Sequence, residues 1–184
     1  MYPTIILVLM MGFIILSNYL TLTMGGTHYM NSNCTIYDSL HNILPNLREY
    51  NYSVDIIILI AVISLYFLGT KDLIYELIGK FIIIMFIRAF TILTTILPKD
   101  EQCDTTLNFS SYIFGGCFDK IFSGHTSAIL LLTLLYYREH IINLYTLFGI
   151  NILNIFLILS TRAHYTVDII LAIFVTTTIY SIKI

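Results

Sequence analysis

Two histidines stand in short polar breaks of an otherwise apolar chain. His125 lies in Cys117-Phe118-Asp119-Lys120-Ile121-Phe122-Ser123-Gly124-His125-Thr126, and His164 lies in His164-Tyr165-Thr166-Val167-Asp168. The i, i+4 spacing of His164 and Asp168 puts them on one face of a helix that begins near His164. A carboxylate bonded to one imidazole nitrogen fixes the tautomer and makes the other nitrogen a better base or nucleophile. Ser123-Gly124-His125-Thr126 reads as a small-residue turn opening an apolar helix, with Ser123 as its N-cap and Gly124 allowing close backbone approach. The first turn of such a helix offers unpaired N–H groups and a positive dipole to an anion. A phosphate would fit there, with His125 beside it as proton donor. Two histidines, a carboxylate and an anion cradle suit phosphoryl transfer. The bland alternatives are a capped helix start with an incidental histidine and an interfacial histidine paired with a helix-end acid.

Two arginines are candidates to hold phosphate oxygens. Arg88 lies inside an apolar stretch, where an isolated guanidinium costs at least about 2.5 kcal/mol. Arg162 precedes His164 by two residues, and guanidinium matches phosphate oxygens bidentately. Ser123, Gly124 and Tyr165 complete the expected phosphate-binding set, and Asp119 is a candidate polar contact to a headgroup or to His125. The alternative for Arg88 is a structural salt bridge or snorkelling. No histidine and cysteine set has zinc spacing, and no Walker-type phosphate loop occurs. No metal or other cofactor is expected. His28, His41 and His140 show no partner pattern.

The elements that must position these groups are membrane helices. Of 184 residues, 58% are hydrophobic and 11% charged, with a net charge of -2. A soluble domain carries about a quarter charged residues, so this composition indicates a polytopic membrane protein. The near-neutral charge argues against nucleic acid as a partner. Crossing a bilayer as a helix takes roughly 17–25 apolar residues. Six candidate spans follow, at about residues 4–21, 54–69, 78–97, 126–137, 141–160 and 166–182. The whole chain reads as one all-α integral membrane domain, 1–184. No Lys or Arg precedes the first apolar segment, so it is expected to be an uncleaved anchor rather than a signal peptide.

Six crossings place the stretches 25–53, 98–123 and 161–165 on one face, so both histidine motifs share a side. Lys and Arg divide evenly between the faces once Arg88 is set aside, so charge does not orient the chain. Three possible N-glycosylation sites, Asn33, Asn51 and Asn108, fall on the histidine side, and so do Cys34, Cys103 and Cys117. Together they favour a lumenal or extracellular face. There a disulfide such as Cys103–Cys117 would close the loop and leave one thiol unpaired. Free thiols in a cytosolic loop are the alternative.

These motifs resemble those of the sphingomyelin synthases, a branch of the type 2 phosphatidic acid phosphatase superfamily. The run from Cys117 through Asp119 to Ser123-Gly124-His125-Thr126 resembles their third signature. His164 through Asp168, with Ile169 and the later Thr176-Thr177, looks like the fourth. Arg88 through Leu97-Pro98 is similar to the second, and residues 41–47 around Leu44-Pro45 to the first, with Asn46 where the family has an acid. The resemblance covers residues 38–184. The chain departs in having Phe118 where a glycine is usual, and Ala163 where an acid often precedes the histidine, which leans toward inositol-phosphorylceramide or phosphatase relatives. Phe122 stands where the phosphatases have proline, and Lys80 and Arg88 are one residue too far apart for their lysine–arginine pattern.

The resemblance implies six transmembrane helices with the active site lumenal or extracellular, in an endomembrane (Golgi or endoplasmic reticulum) or at the plasma membrane. It implies phosphocholine, or a related headgroup, passing from a glycerophospholipid to ceramide through a phosphohistidine. His164 would be the nucleophile, Asp168 its orienting acid and His125 the proton shuttle, with Arg88 and Arg162 holding phosphate. A lipid phosphatase or phospholipase C-like hydrolase using the same histidines is the first alternative. A non-catalytic membrane protein retaining the fold is the second.

Overall fold

A computed structural model describes residues 2–29, 36–98 and 118–182. Among these residues every regular element is helical: α1 (Tyr2–Tyr29), α2 (Ser39–Ile43), a 3-10 turn (Arg48–Tyr50), α3 (Tyr52–Leu68), α4 (Lys71–Thr94), α5 (Gly124–Arg138), α6 (Leu144–Ser160) and α7 (Thr166–Ser181). Cys34, Cys103, Cys117, Asn33 and Asn108 fall outside the described residues, so the disulfide and two of the three glycosylation expectations concern segments not described here. Asn51 is described and exposed, at the start of α3.

The helix ends follow local chemistry. Asp38 caps α2, and Leu44 leaves that helix extended because Pro45 follows it. Ser123 caps α5 and Asn143 caps α6, each accepting the N–H three residues on. Both α5 and α6 end in a Schellman arrangement. Ile141 N–H donates to Tyr136 C=O at 2.9 Å, and Ala163 N–H to Ile158 C=O at 3.1 Å. The left-handed residues these caps require are His140 (φ 57°) and Arg162 (φ 61°), where glycine is usual. For a residue with a Cβ that conformation costs about 1–2 kcal/mol.

Among the described residues, three helices are long and apolar enough to cross a membrane: residues 4–29, 48–68 and 71–94. Two shorter apolar helices are α6 and α7. The first crossing runs eight residues past its expected end. Thr23 and Thr27 fold their hydroxyls onto the carbonyls of Tyr19 and Met24, both at 2.9 Å, and no proline interrupts. The third begins at Lys71 rather than at residue 78. The fourth expected span is α5, with 15 residues, about 22 Å at 1.5 Å per residue against a hydrocarbon core of about 30 Å. Most of α5 is buried, from Thr126 to Tyr136, because α3, α6 and α7 pack on it. It is a sheathed central helix. By contrast α3 buries Val54 alone and exposes Leu59, Ile60, Val62, Tyr66 and Phe67, the pattern of a lipid-facing surface.

The chain divides into two compact units. In the unit formed by residues 1–37 and 85–122, Phe13 meets the rings of Phe86 and Phe90 at 5.1 and 4.9 Å. Leu22 and Phe118 pack with Tyr29 and Ile96. Gly25 permits the Phe118 contact, since a Cβ there would collide with the ring.

The second unit, residues 38–84 and 123–184, holds both histidine motifs. Its core joins Val54, Ile158, Leu159 and Ile169, with Leu44 and Ile173 against them. Elsewhere in this unit the buried Lys80 donates to the Tyr180 carbonyl at 2.6 Å and pairs with Glu76 at 3.1 Å. Arg138 grips the same Glu76 bidentately at 2.7 and 2.8 Å. These contacts tie the start of α4 to the ends of α5 and α7.

Candidate active site

The start of α5 is built as the sequence predicts. Ser123 is fully buried, and its Oγ accepts from the Thr126 N–H at 3.2 Å and the Thr126 hydroxyl at 2.9 Å. The Ser123 N–H faces the Asp168 carbonyl at 3.5 Å, so the first turns of α5 and α7 lie side by side. Gly124 opens the helix and His125 follows it. Nε2 of His125 lies 3.2 Å from Oδ1 of Asp55, in the first turn of α3. That partner lies seventy residues away in the chain.

His164 lies in the turn before α7 rather than within it, because Tyr165 is the N-cap. The turn still brings its Nδ1 to 3.5 Å from Asp168 Oδ2. The same Oδ2 accepts the Tyr165 N–H at 2.8 Å, closing the helix start. Asp168 is fully buried, and its Oδ1 has no hydrogen-bond partner among the described residues. A buried polar oxygen left so is costly. A carboxyl group in this position is placed to orient the His164 ring. Burial, then the negative charges of Asp168 and Asp38, push the Tyr165 phenol up from its ordinary value. It is a neutral O–H at physiological pH.

Both arginines are engaged by protein groups. Arg88 is buried in the first unit and forms an ion pair with Asp119 at 2.5 Å. It also donates to Asn18 Oδ1 at 3.4 Å and to the Phe122 carbonyl at 3.3 Å. This salt bridge meets the cost of burying the guanidinium. Asp119 Oδ2 supplies the carboxylate side of that bridge. The Arg162 guanidinium donates to the carbonyls of Leu159 at 3.0 Å, His41 at 2.5 Å and Leu44 at 3.1 Å.

Sequence reasoning missed Asp38, His41 and Asp55. His41, set aside for want of a partner, places Nε2 3.0 Å from the His164 carbonyl and stacks on Tyr165. Asp55 carried a weak signal, an acid opening an apolar helix. Among the described residues no group of three or more His, Cys, Asp or Glu is placed to hold a metal ion.

Chemically, the second unit offers a buried imidazole with an oriented acid, a more open imidazole on a neighbouring helix start, and the N–H groups of two helix N-termini. Residues 116–184 match the family model described as PAP2 superfamily C-terminal. The match takes in both histidine motifs and supports the type 2 phosphatidic acid phosphatase superfamily, at that level and no finer. No curated protein matches the chain. With the apolar helices, the match indicates an integral membrane protein and a lipid phosphatase or phosphotransferase class of activity.

Proposed function

We propose, from the superfamily match and the two helix starts, that the chain is a membrane phosphotransferase moving a phospho-headgroup from a glycerophospholipid to ceramide. The observation that carries this reading is the buried His164–Asp168 pair beside the capped helix start bearing His125. Nδ1 of His164 faces Asp168 at 3.5 Å, and its Nε2 is assigned the attack on phosphorus. In the first step the Nε2 lone pair bonds to phosphorus and the phosphorus–oxygen bond to diacylglycerol breaks. The departing oxygen takes a proton from His125. In the second, His125 takes the proton of the ceramide primary hydroxyl as that oxygen attacks phosphorus, and the phosphorus–nitrogen electrons return to His164. Ser123, Gly124 and the first N–H groups of α5 hold the phosphate, with the Tyr165 hydroxyl as a further donor.

Phosphatidylcholine is the donor of choice for the proposal, and the site faces the lumen or the exterior. The half-open setting of His125 favours a second reading, in which water replaces ceramide and the chain is a lipid phosphatase or phospholipase C-like hydrolase. The deciding assay incubates purified protein in mixed micelles with labelled ceramide and several phospholipid donors. A phosphosphingolipid product is expected. Release of phosphate or phosphocholine without it would establish the hydrolase. Absence of any turnover, with intact folding, would leave a non-catalytic membrane protein. Glycosidase treatment after expression in eukaryotic cells should increase mobility if the face is lumenal.

A further inference from the structure

The turn that carries His164 is held by a segment more than a hundred residues earlier. Asp38 caps α2 through Oδ1, which accepts the N–H groups of Leu40 and His41 at 3.0 and 3.2 Å. The same carboxylate reaches α7: Oδ2 accepts the Thr166 N–H at 2.6 Å, and Oδ1 accepts the Thr166 hydroxyl at 2.7 Å. One short acid thus caps two helices. Three residues on, the His41 ring bonds the His164 carbonyl at 3.0 Å and stacks on Tyr165 with centroids 5.4 Å apart. The carbonyls of His41 and Leu44 receive the Arg162 guanidinium, and the Leu47 N–H donates to the Ser160 carbonyl at 2.8 Å. Ser160, Arg162, His164, Tyr165 and Thr166 are each fastened to this segment, so the restraint flanks His164 on both sides.

The residue type at position 162 is informative. A left-handed cap position favours glycine, yet the chain keeps an arginine there with φ 61°. Its side chain is what ties the turn to residues 41–44. If only the cap mattered, glycine would serve better.

We infer that residues 38–47 are a positioning strap for His164. Asp38, His41 and Arg162 fix the backbone on either side of the histidine, so that Nδ1 stays on Asp168 and Nε2 is presented to phosphorus. The inference rests on the phosphotransfer reading of His164 and adds the residues that make its geometry reproducible. None of the three touches the reacting atoms, and they are positioning residues.

The test uses the full chain in micelles and four substitutions. R162G relieves the left-handed backbone while removing the guanidinium, so it should fold at least as well as wild type. H41F keeps a ring against Tyr165 but loses the donor, whereas H41Q restores an N–H to the His164 carbonyl. D38S still caps α2 but is too short to reach Thr166. For R162G, H41F and D38S the expected kcat loss is about 10- to 100-fold, the scale of a slightly misplaced reacting group. KM for the donor lipid should stay within about twofold of wild type, since binding and positioning are separable, and H41Q should recover most of kcat. Spectra of protein carrying 15N-labelled histidine read the same question without turnover. The His164 Nδ1 resonance should move in H41F and R162G and return in H41Q. If wild type turns over no lipid while that resonance moves as expected, the phosphotransfer reading fails and the strap stands. Wild-type kcat and an unmoved His164 resonance in R162G and H41F would overturn the strap. So would variants that lose thermal stability while keeping full kcat per folded molecule.

Discussion

His164 and His125 occupy the starts of neighbouring helices and are held in contrasting ways. The His164 side chain is 11% exposed, faces a fully buried carboxyl group, and sits in a turn whose backbone is bonded to Asp38 and His41 and whose Arg162 side chain reaches the carbonyls of His41 and Leu44. The His125 side chain is 36% exposed and meets Asp55, an acid that is itself 76% exposed. A nucleophile benefits from the first setting, because a fixed lone pair aimed at phosphorus reduces the orientational freedom lost at the barrier. A group that must give up and regain a proton each cycle benefits from the second, where the ring can shift and meet solvent or an incoming hydroxyl. Under the proposed function, the difference teaches that the two roles are written in the surroundings rather than in the histidines.

The largest effect that could break this contrast is His164→Ala. Loss of the nucleophile should reduce lipid turnover by at least about 10⁴-fold, with no acid-labile phosphoprotein after incubation with labelled donor. A variant retaining even a tenth of wild-type activity would remove His164 from the chemistry. Asp168→Asn comes next. The amide keeps the shape but presents a possible donor toward Nδ1, so the wrong tautomer is favoured and kcat should fall about 10³-fold. An unchanged kcat would mean that the long 3.5 Å contact does not orient the ring.

His125→Ala sharpens the comparison because its effect depends on the leaving group. General acid catalysis contributes about 10²–10⁴-fold, so turnover of a natural phospholipid should fall by that amount. A donor with a nitrophenolate leaving group needs no proton on departure, and the first-step burst of nitrophenolate should be nearly restored. Equal loss with both donors would show that His125 does more than deliver a proton to the leaving oxygen.

The strap predicts an acid limit on one histidine's surroundings. Burial acts to raise the Asp38 pKa, but the hydrogen bonds from Thr166 and His41 outweigh it and hold the carboxyl below its ordinary value of 3.8. A depressed folded-state pKa gives stability that is complete above the unfolded value and lost as pH falls through the folded one. The thermal midpoint of wild type should therefore exceed that of D38S at pH 6, and the gap should narrow below about pH 4. A gap independent of pH would mean that Asp38 acts without its charge.

The local half of this arrangement was legible in the sequence. Ser123 capping α5, and the closeness of His164 to Asp168, each depend on residues three or four positions apart, where helix geometry dictates the outcome. The pairings of Asp38 with Thr166, His41 with His164 and Asp55 with His125 join positions 70 to 128 residues apart. Composition and periodicity carry no information about such pairs, since helix packing decides them. The left-handed cap at Arg162 was not legible for a related reason: nothing local marks it, and the carbonyls of His41 and Leu44 that its guanidinium meets lie more than a hundred residues earlier. The burial of α5 was not legible either, because apolarity alone does not distinguish a helix facing lipid from one enclosed by other helices.

The smallest expected effect is also the one that tests whether His125 is loosely held. Asp55 and His125 approach to 3.2 Å, but both are open to solvent. An exposed ion pair is worth about 0–1 kcal/mol, so Asp55→Asn should lower kcat/KM by no more than about fivefold. The residual difference should shrink as ionic strength rises from about 0.01 to 1 M, because the Debye length falls from about 30 to 3 Å. Comparing Asn with Ala separates charge from shape, since the amide can still accept from Nε2–H. A loss beyond about 100-fold, insensitive to salt, would place Asp55 alongside Asp168 as an orienting acid. The two histidines would then be held alike, and their division into fixed nucleophile and mobile proton carrier would no longer follow from their surroundings.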